Sequence, residues 1–335
     1  MGEDAEVRER HQDECPEQPN EKDQPNSFDS TEKAKQLRWY EFEQPLSWRN
    51  IYIMVVIHLL CVYSVFRCPE AKWQSWVWFM VCYLISGLGV TAGAHRLWAH
   101  RTYKAVAPYR FMLMLFNCIS FQNDIIEWSR DHRVHHKFSE TPADPHNAKR
   151  GFFFAHVGWL LMKKHPDVKE KGKTVDMSDL LNDPILQFQR RHYLLLGLIC
   201  SVLIPMLVPW YFWGEKMMVG FALCVSVRYI FSLHVTWLVN SAAHLWGSHP
   251  YDKTINPSEN IFVAFGAIGE GFHNYHHAFP HDYSASEYGP YLNMTTCIID
   301  MCAALGLVTN RRKMTSKMVE ARRERTGTPE TPVKK

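Results

Sequence analysis

The sequence predicts an all-α membrane protein, with four transmembrane helices paired as two hairpins and a helical cap on one side that carries a histidine-ligated metal site. Three observations predict it. Four long apolar runs stand out in a chain of 335 residues that is 47% hydrophobic and 13% aromatic. The connections between them alternate between very short and very long. Eight of the 18 histidines fall in three windows: His95 with His100, His132 with His135 and His136, and His273 with His276 and His277.

Residues 1–38 are rich in Glu, Asp, Gln, Asn, Lys and Pro with almost no large apolar side chains, which predicts a disordered arm. No apolar h-region opens the chain, so the first span is expected to direct insertion itself. The spans are read at 51–66, 73–93, 193–213 and 217–239. The last three run 21, 21 and 23 residues, long enough for a hydrocarbon core that needs about 20. The first is shorter at 16, but Trp48 and Arg49 before it and Arg67 after it suit interface anchors. Residues 39–310 are thus one membrane domain, its cap built from 94–192 and 240–310. Residues 311–335 form a polar, basic tail.

Six residues join the first two spans and three join the last two, so both turns face one side and everything long faces the other. The long connection is basic around Arg96, Arg101, Lys104, Lys149, Arg150, Lys163, Lys164, Arg190 and Arg191, which by the positive-inside tendency makes that side cytosolic. Both termini are expected there. The nine cysteines show no C-x-x-C pair and mostly lie in or beside spans, where thiols act as small hydrophobes. Asn293-Met-Thr295 fits the glycosylation pattern but falls on the cytosolic side, and is expected to stay bare. The apolar run 108–121 is too short to span and suits the interface. Arg228 and His234 lie inside the fourth span and are assigned structural roles, since charge there turns inward.

Neutral imidazole offers one nitrogen to a metal while the other is oriented by a hydrogen bond. Positions i, i+3 and i+4 share a helix face, so 132/135/136 and 273/276/277 each direct three rings one way. His95 and His100, five apart, fall about 140° apart on a regular helix. That pair must unwind or serve two ions. So many clustered histidines without nearby cysteine fit two ions better than one structural zinc, and nitrogen donors leave iron, copper, nickel and zinc all open. The isolated His11, His58, His165 and His192 read as surface or core. Metals at the ends of spans two and four lie within reach of a lipid tail, so a lipid substrate is natural. The residues alone do not separate hydrolysis from attack on a C–H bond.

The order H-x4-H, H-x2-HH, H-x2-HH between membrane hairpins resembles the membrane fatty acid desaturase and hydroxylase superfamily. Thr91-Ala-Gly-Ala-His95-Arg-Leu-Trp, Asp131-His-Arg-Val-His-His-Lys-Phe-Ser-Glu140, Ala143-Asp-Pro-His-Asn147, Arg150-Gly-Phe-Phe-Phe154, Trp237-Leu-Val-Asn-Ser-Ala-Ala-His244-Leu and Gly269-Glu-Gly-Phe-His-Asn-Tyr-His-His277 are similar to the animal acyl-CoA delta-9 desaturases. The likeness covers about residues 39–325.

That resemblance implies an oxidoreductase with two iron ions. His95, His100, His132, His136 and His276 would hold one, and His135, His244, His273 and His277 the other, with Asn240 reaching the second through water. It implies dioxygen as co-substrate and a cis double bond placed in a saturated palmitoyl or stearoyl chain on coenzyme A. Electrons would come from NADH through cytochrome b5 reductase and cytochrome b5, from separate proteins, since no cytochrome-like haem sequence lies in this chain. An endoplasmic reticulum membrane location follows, with membrane lipid around the spans and no nucleic-acid partner. Positions matching substrate contacts are Asn50, Gln122, Asn123, Arg130, Asp131, Lys163, Lys164, Thr236 and Trp237. Phe79 and Tyr83, a turn apart on span two, are candidates for the closed end of an acyl tunnel and would favour palmitoyl. His249 and His281 lie near the boxes but are not expected to be ligands. A desaturase of another position or a fatty acyl hydroxylase would use the same scaffold. A metal-binding transporter would need ionisable residues lined through its spans, and that line is missing.

Overall fold

The computed structural model describes residues 44–328. The expected N-terminal arm and the last residues of the tail lie outside the described residues. Helices dominate: α1 (Trp48–Val65), α2 (Trp73–Ala99), α3 (Ala107–Ser120), α4 (Ile125–Phe138), α5 (Pro184–Arg191), α6 (Tyr193–Trp213), α7 (Met217–Leu245), α8 (Ile261–Gly266), α9 (His273–Ala278), α10 (Met294–Ala304) and α11 (Ser316–Thr326). Shorter helical turns link them. Among the described residues the only sheet is two-stranded, pairing Lys104–Ala105 with Val308–Thr309.

Four of these helices, α1, α2, α6 and α7, are long and apolar enough to cross a membrane. Two outrun the bounds set by hydropathy: α2 continues to Ala99 and α7 to Leu245, carrying His95 and His244 on the spans themselves. Hydropathy falls where histidine and arginine enter, but the helical winding does not. The two short turns are tied together at one end. The backbone N–H of Lys72 donates to the buried Glu215 carboxylate at 2.8 Å, Ser75 Oγ donates to the same oxygen at 2.6 Å, and the Lys72 ammonium donates to the carbonyls of Trp213 and Gly214. Arg228 is fully buried and donates to the carbonyls of Cys224, Ile119 and Ser201, so it ties α7 to α3 and α6, as a structural reading of that charge requires.

The run read as interfacial is α3, packed along α2. A Cβ on Gly89 would stand 2.2 Å from the backbone nitrogen of Asn117, so the two backbones touch where only glycine fits. Around this crossing Leu113, Met114, Ile125, Leu180, Leu186 and Ile299 are buried in one core, each worth roughly 1.5–3 kcal/mol when removed from water. The stretch from residue 311 is polar, as read, but it is not loose where described. Helix α11 packs Val319 against Tyr251 and Tyr275, and Arg322 pairs with the buried Asp252.

Candidate metal centre

Helix α2 loosens into π-helical winding over Gly89–Ala99, and His100 N–H donates to His95 carbonyl at 3.0 Å. An i→i+5 bond makes residues five apart neighbours on successive turns. This resolves the H-x4-H problem: the pair serves one site because the helix widens. On α4, His132 and His136 face that same site while His135 turns to another. On α9, His276 joins the first and His273 and His277 the second. His244 comes from the end of α7, beyond a turn at Ser241.

Nitrogens of His95, His100, His132, His136 and His276 lie within 4.8 Å of one another, as do those of His135, His244, His273 and His277. The rings meet through Nε2: His95 to His276 at 3.0 Å, His100 to His132 at 2.8 Å, His276 to His136 at 3.0 Å and His273 to His244 at 3.0 Å. The groups adjoin, with His136 stacked on His277 at 4.1 Å between centroids. Three carboxylates lie behind rings of the two groups. Glu270 lies 2.8 Å from His95 Nδ1, Asp144 lies 2.9 Å from His135 Nδ1, and Glu140 lies 3.2 Å from His244 Nδ1. With the proton held on Nδ1, those rings aim lone pairs from Nε2 into the group.

Burial, then repulsion between neighbouring rings, pushes His100, His132, His136, His276 and His277 well below the usual imidazole value, and His273 down to about 3. Five and four imidazole nitrogens converge on two points, which is the donor chemistry of a transition-metal cation. Burial alone would raise Glu270, but Arg96 first and then His95 hold it at about 2. Arg96 is itself 1% exposed and shares Glu270 at 2.7 Å.

Two cavities meet here. The deep one is lined by Tyr83, Gly87, Val90, Val235, Val239 and Ile268. The outer one is lined by Met54, Asn123, Asp131, His146, Trp159 and Trp237. Gln122, Trp128, His132, Thr236 and Asn240 line both, so they form a neck beside the first histidine group. Gln122 Nε2 donates to Thr236 Oγ1 across it at 3.1 Å. At the outer mouth Arg130 pairs with Asp131 at 2.8 Å, Lys164 pairs with the same carboxylate, and Lys163 is exposed. Asn50 donates to Leu160 carbonyl at 2.9 Å.

The structure separates Tyr83 from Phe79. Tyr83 reaches the deep cavity and donates to Gly266 carbonyl, whereas Phe79 is buried in a cluster with Cys68, Leu223 and Cys224. Both rings pack against Phe231, at 5.0 Å for Tyr83 and 6.3 Å for Phe79, but only Tyr83 lines the cavity. His249 bonds to Asn256 carbonyl at 3.1 Å, and neither it nor His281 joins a histidine group among the described residues. His58 and His234 bond to each other at 3.2 Å, and His234 to His156 at 2.9 Å, which binds α1 to α7. Asn293 is buried and caps α10 through Thr296 N–H, which leaves its amide inaccessible.

Sequence reasoning overlooked the three carboxylates and His146. His146 is 8% exposed, packs 4.3 Å from the His135 ring and lies near Asp144. A spacing signal for it did exist, since Asp144 and His146 lie two apart in a stretch dense with polar residues. Nothing in sequence aimed Glu270 or Glu140 at a particular ring.

A family model described as fatty acid desaturase matches residues 71–289. Stearoyl-CoA desaturase 5 of Bos taurus is 55% identical over 284 residues, 85% of each chain. Acyl-CoA desaturase of Cyprinus carpio is 54% identical over 304 residues, covering 90% of this chain and 91% of that one. Stearoyl-CoA desaturase of Homo sapiens is 56% identical over 280 residues, 84% and 78% respectively.

Proposed function

Because the chain belongs to the fatty acid desaturase family, we propose that it is an acyl-CoA delta-9 desaturase, an oxidoreductase that introduces a cis double bond into a saturated fatty acyl chain carried on coenzyme A. The observation that carries this reading is the pairing of two histidine groups with two adjoining cavities whose shared lining includes His132 of the first group.

The nine histidines would hold two iron ions in the five-plus-four division, with Asn240, on the neck, near enough to contribute through water. Iron so held would supply the oxidising power, drawn from dioxygen, that removes hydrogen from two adjacent methylenes. The chain itself supplies position. The deep cavity takes the apolar tail, and the Gln122–Thr236 bridge and Trp128 fix where the chain bends. Glu270, Asp144 and Glu140 keep the Nδ1 protons of three ligands and so keep their Nε2 lone pairs free. At the mouth Arg130, Lys163 and Lys164 supply cations for the phosphates of coenzyme A, with Asn50, Asn123, Asp131 and Trp237 around them. Asp131 pairs with both Arg130 and Lys164, so phosphate would compete with a carboxylate for those cations.

Four membrane-length helices make this a multi-pass membrane protein. Placement in the endoplasmic reticulum, with both termini and the cap cytosolic, fits the basic long connection, and puts the mouth where cytochrome b5 and its NADH reductase can deliver electrons.

The test is expression in a yeast strain lacking its own desaturase. Growth without added unsaturated fat, with palmitoleate or oleate identified by mass spectrometry, is the expected result. A hydroxy fatty acid, a bond at another position, or no product despite iron and an electron donor would overturn the proposal.

A further inference from the structure

We propose that α8 and the turn after it, residues 261–268, lie inside the histidine-side leaflet of the bilayer, with Phe262 and Phe265 against lipid acyl chains. This element would contact lipid without crossing. The proposal rests on the membrane-spanning reading of α2 and α7, and it goes beyond that reading because the segment is too short to be a span.

Depth is the first argument. Lys72, Glu215 and Lys216 mark the turn-side ends of both helices. From Trp73, Tyr83 stands about 15 Å along α2 and Gly87 about 21 Å, at about 1.5 Å per residue. Tyr83 donates its hydroxyl to Gly266 carbonyl, and a Cβ on Gly87 would stand 3.0 Å from Ile268 Cδ1. On α7, Val235 stands about 27 Å from Met217, and its methyl lies 3.8 Å from where a Cβ of Gly266 would be. The π-helical turns of Phe221–Val227 and any tilt shorten these heights. A hydrocarbon core is about 30 Å thick, so residues 266–268 sit below its upper boundary.

Exposure is the second. Val263 and Ala264 are buried, Val263 packing with Val235, Leu238 and Val239 of α7. The opposite face leaves Phe262 87% and Phe265 81% exposed. Trp246, exposed and stacked on Phe152 at 5.1 Å, borders the patch with the amphipathic aromatics that favour a membrane interface.

The third is hydrogen bonding. A segment in hydrocarbon must satisfy its own backbone. Asn260 accepts from Val263 N–H through its side chain and from Ala264 N–H through its carbonyl, and donates to Trp246 carbonyl. Ala267 and Gly269 N–H close onto Val263 and Ala264. Ala267 and Ile268 also line the deep cavity, so the segment forms part of its wall.

The test places the photoreactive residue benzoylphenylalanine at position 262, 265, 198 or 317 in the full chain, reconstituted in phosphatidylcholine vesicles. Leu198 is exposed on α6 and reports the span. Lys317 is exposed on α11 and reports solvent. Phospholipid adducts from 262 and 265 at the level given by 198, about tenfold above 317, are expected for immersion. Adducts from 198 but not from 262 or 265, or cross-links joining two copies through 262, would overturn the proposal while leaving the spans intact. No lipid adduct from 198 would remove the spanning premise and the proposal with it.

Discussion

Of the four membrane-length helices, two are rind and two are core. Only 6% of the α1 window and 28% of the α6 window are buried within the protein, against 61% for both α2 and α7. All four are apolar enough for lipid, so hydropathy does not distinguish them. What does is their continuation. The two buried helices run on past the membrane boundary, carry His95 and His244 into the cap, and frame the deep cavity between them. The exposed helices present Leu59, Val62, Leu194 and Leu198 outward and end at the short turns. Chemistry sits on the helices that the rest of the protein surrounds, because a buried lone pair can be aimed and kept dry.

That contrast is broken most severely by losing a ligand from the buried pair. His95→Ala should remove metal from the first group while leaving the second, and His244→Ala should do the reverse. Each should lower desaturation at least about 100-fold, since these are ligands rather than their supports. Metal content of the purified protein, measured beside activity, checks the division. A step outward, Asp144→Asn and Glu270→Gln should each cost about 10–100-fold in metal affinity. Glu270→Gln should also lower the melting temperature, because it leaves Arg96 buried without its anion, a loss of about 3–5 kcal/mol. Rescue of metal content at raised iron for Asp144→Asn, with no change in melting temperature, would sharpen the distinction between orienting a ring and holding the fold.

Within α2 itself, Tyr83→Ala should change the ratio of C16 to C18 products and Phe79→Ala should not, because only Tyr83 reaches the deep cavity. An equal effect of both, or none from Tyr83→Ala, would move the closed end elsewhere. A gentler test uses the cap. Burial first, with Glu287 adding to it, raises Glu259 to about 8 against the pull of Tyr275 and Asn274 N–H. The folded state therefore holds this proton where the unfolded chain has released it. The stability it contributes is complete below the ordinary carboxylate range and lost as pH rises through about 8. Glu259→Gln should show a melting temperature whose advantage over the parent grows from pH 5 to pH 8, roughly the interval set by linkage. At the rind, Leu194→Ala should change stability by no more than about 0.5 kcal/mol. A larger loss would mean that α6 is covered by something other than lipid.

These contrasts also show how far the sequence carried. Apolar length pointed to four membrane-length helices, which the structure contains, but not to where α2 and α7 stop, because helical winding continues past the point where hydropathy falls. Loop length pointed to the two short turns sharing one end, and contacts of Lys72 with Glu215, Trp213 and Gly214 tie them together there. The motifs placed the histidines, and their likeness to known desaturases supplied the division that the structure brings together as two groups. Tyr83 and Phe79 were inseparable in sequence because a turn's spacing says they are near each other, not which neighbour each meets.

Composition, apolar length and histidine spacing by themselves determined a membrane protein with clustered imidazole on one face, because those properties are local to the chain. Tertiary structure alone decided the rest. The π-wound end of α2 turned an awkward five-residue spacing into one group, α4 and α9 each divided their rings between two groups, and Glu270, Asp144 and Glu140 came to lie against Nδ1 of three of those rings. Metal coordination and proton placement depend on where atoms from separate segments meet, and only the folded chain sets those distances.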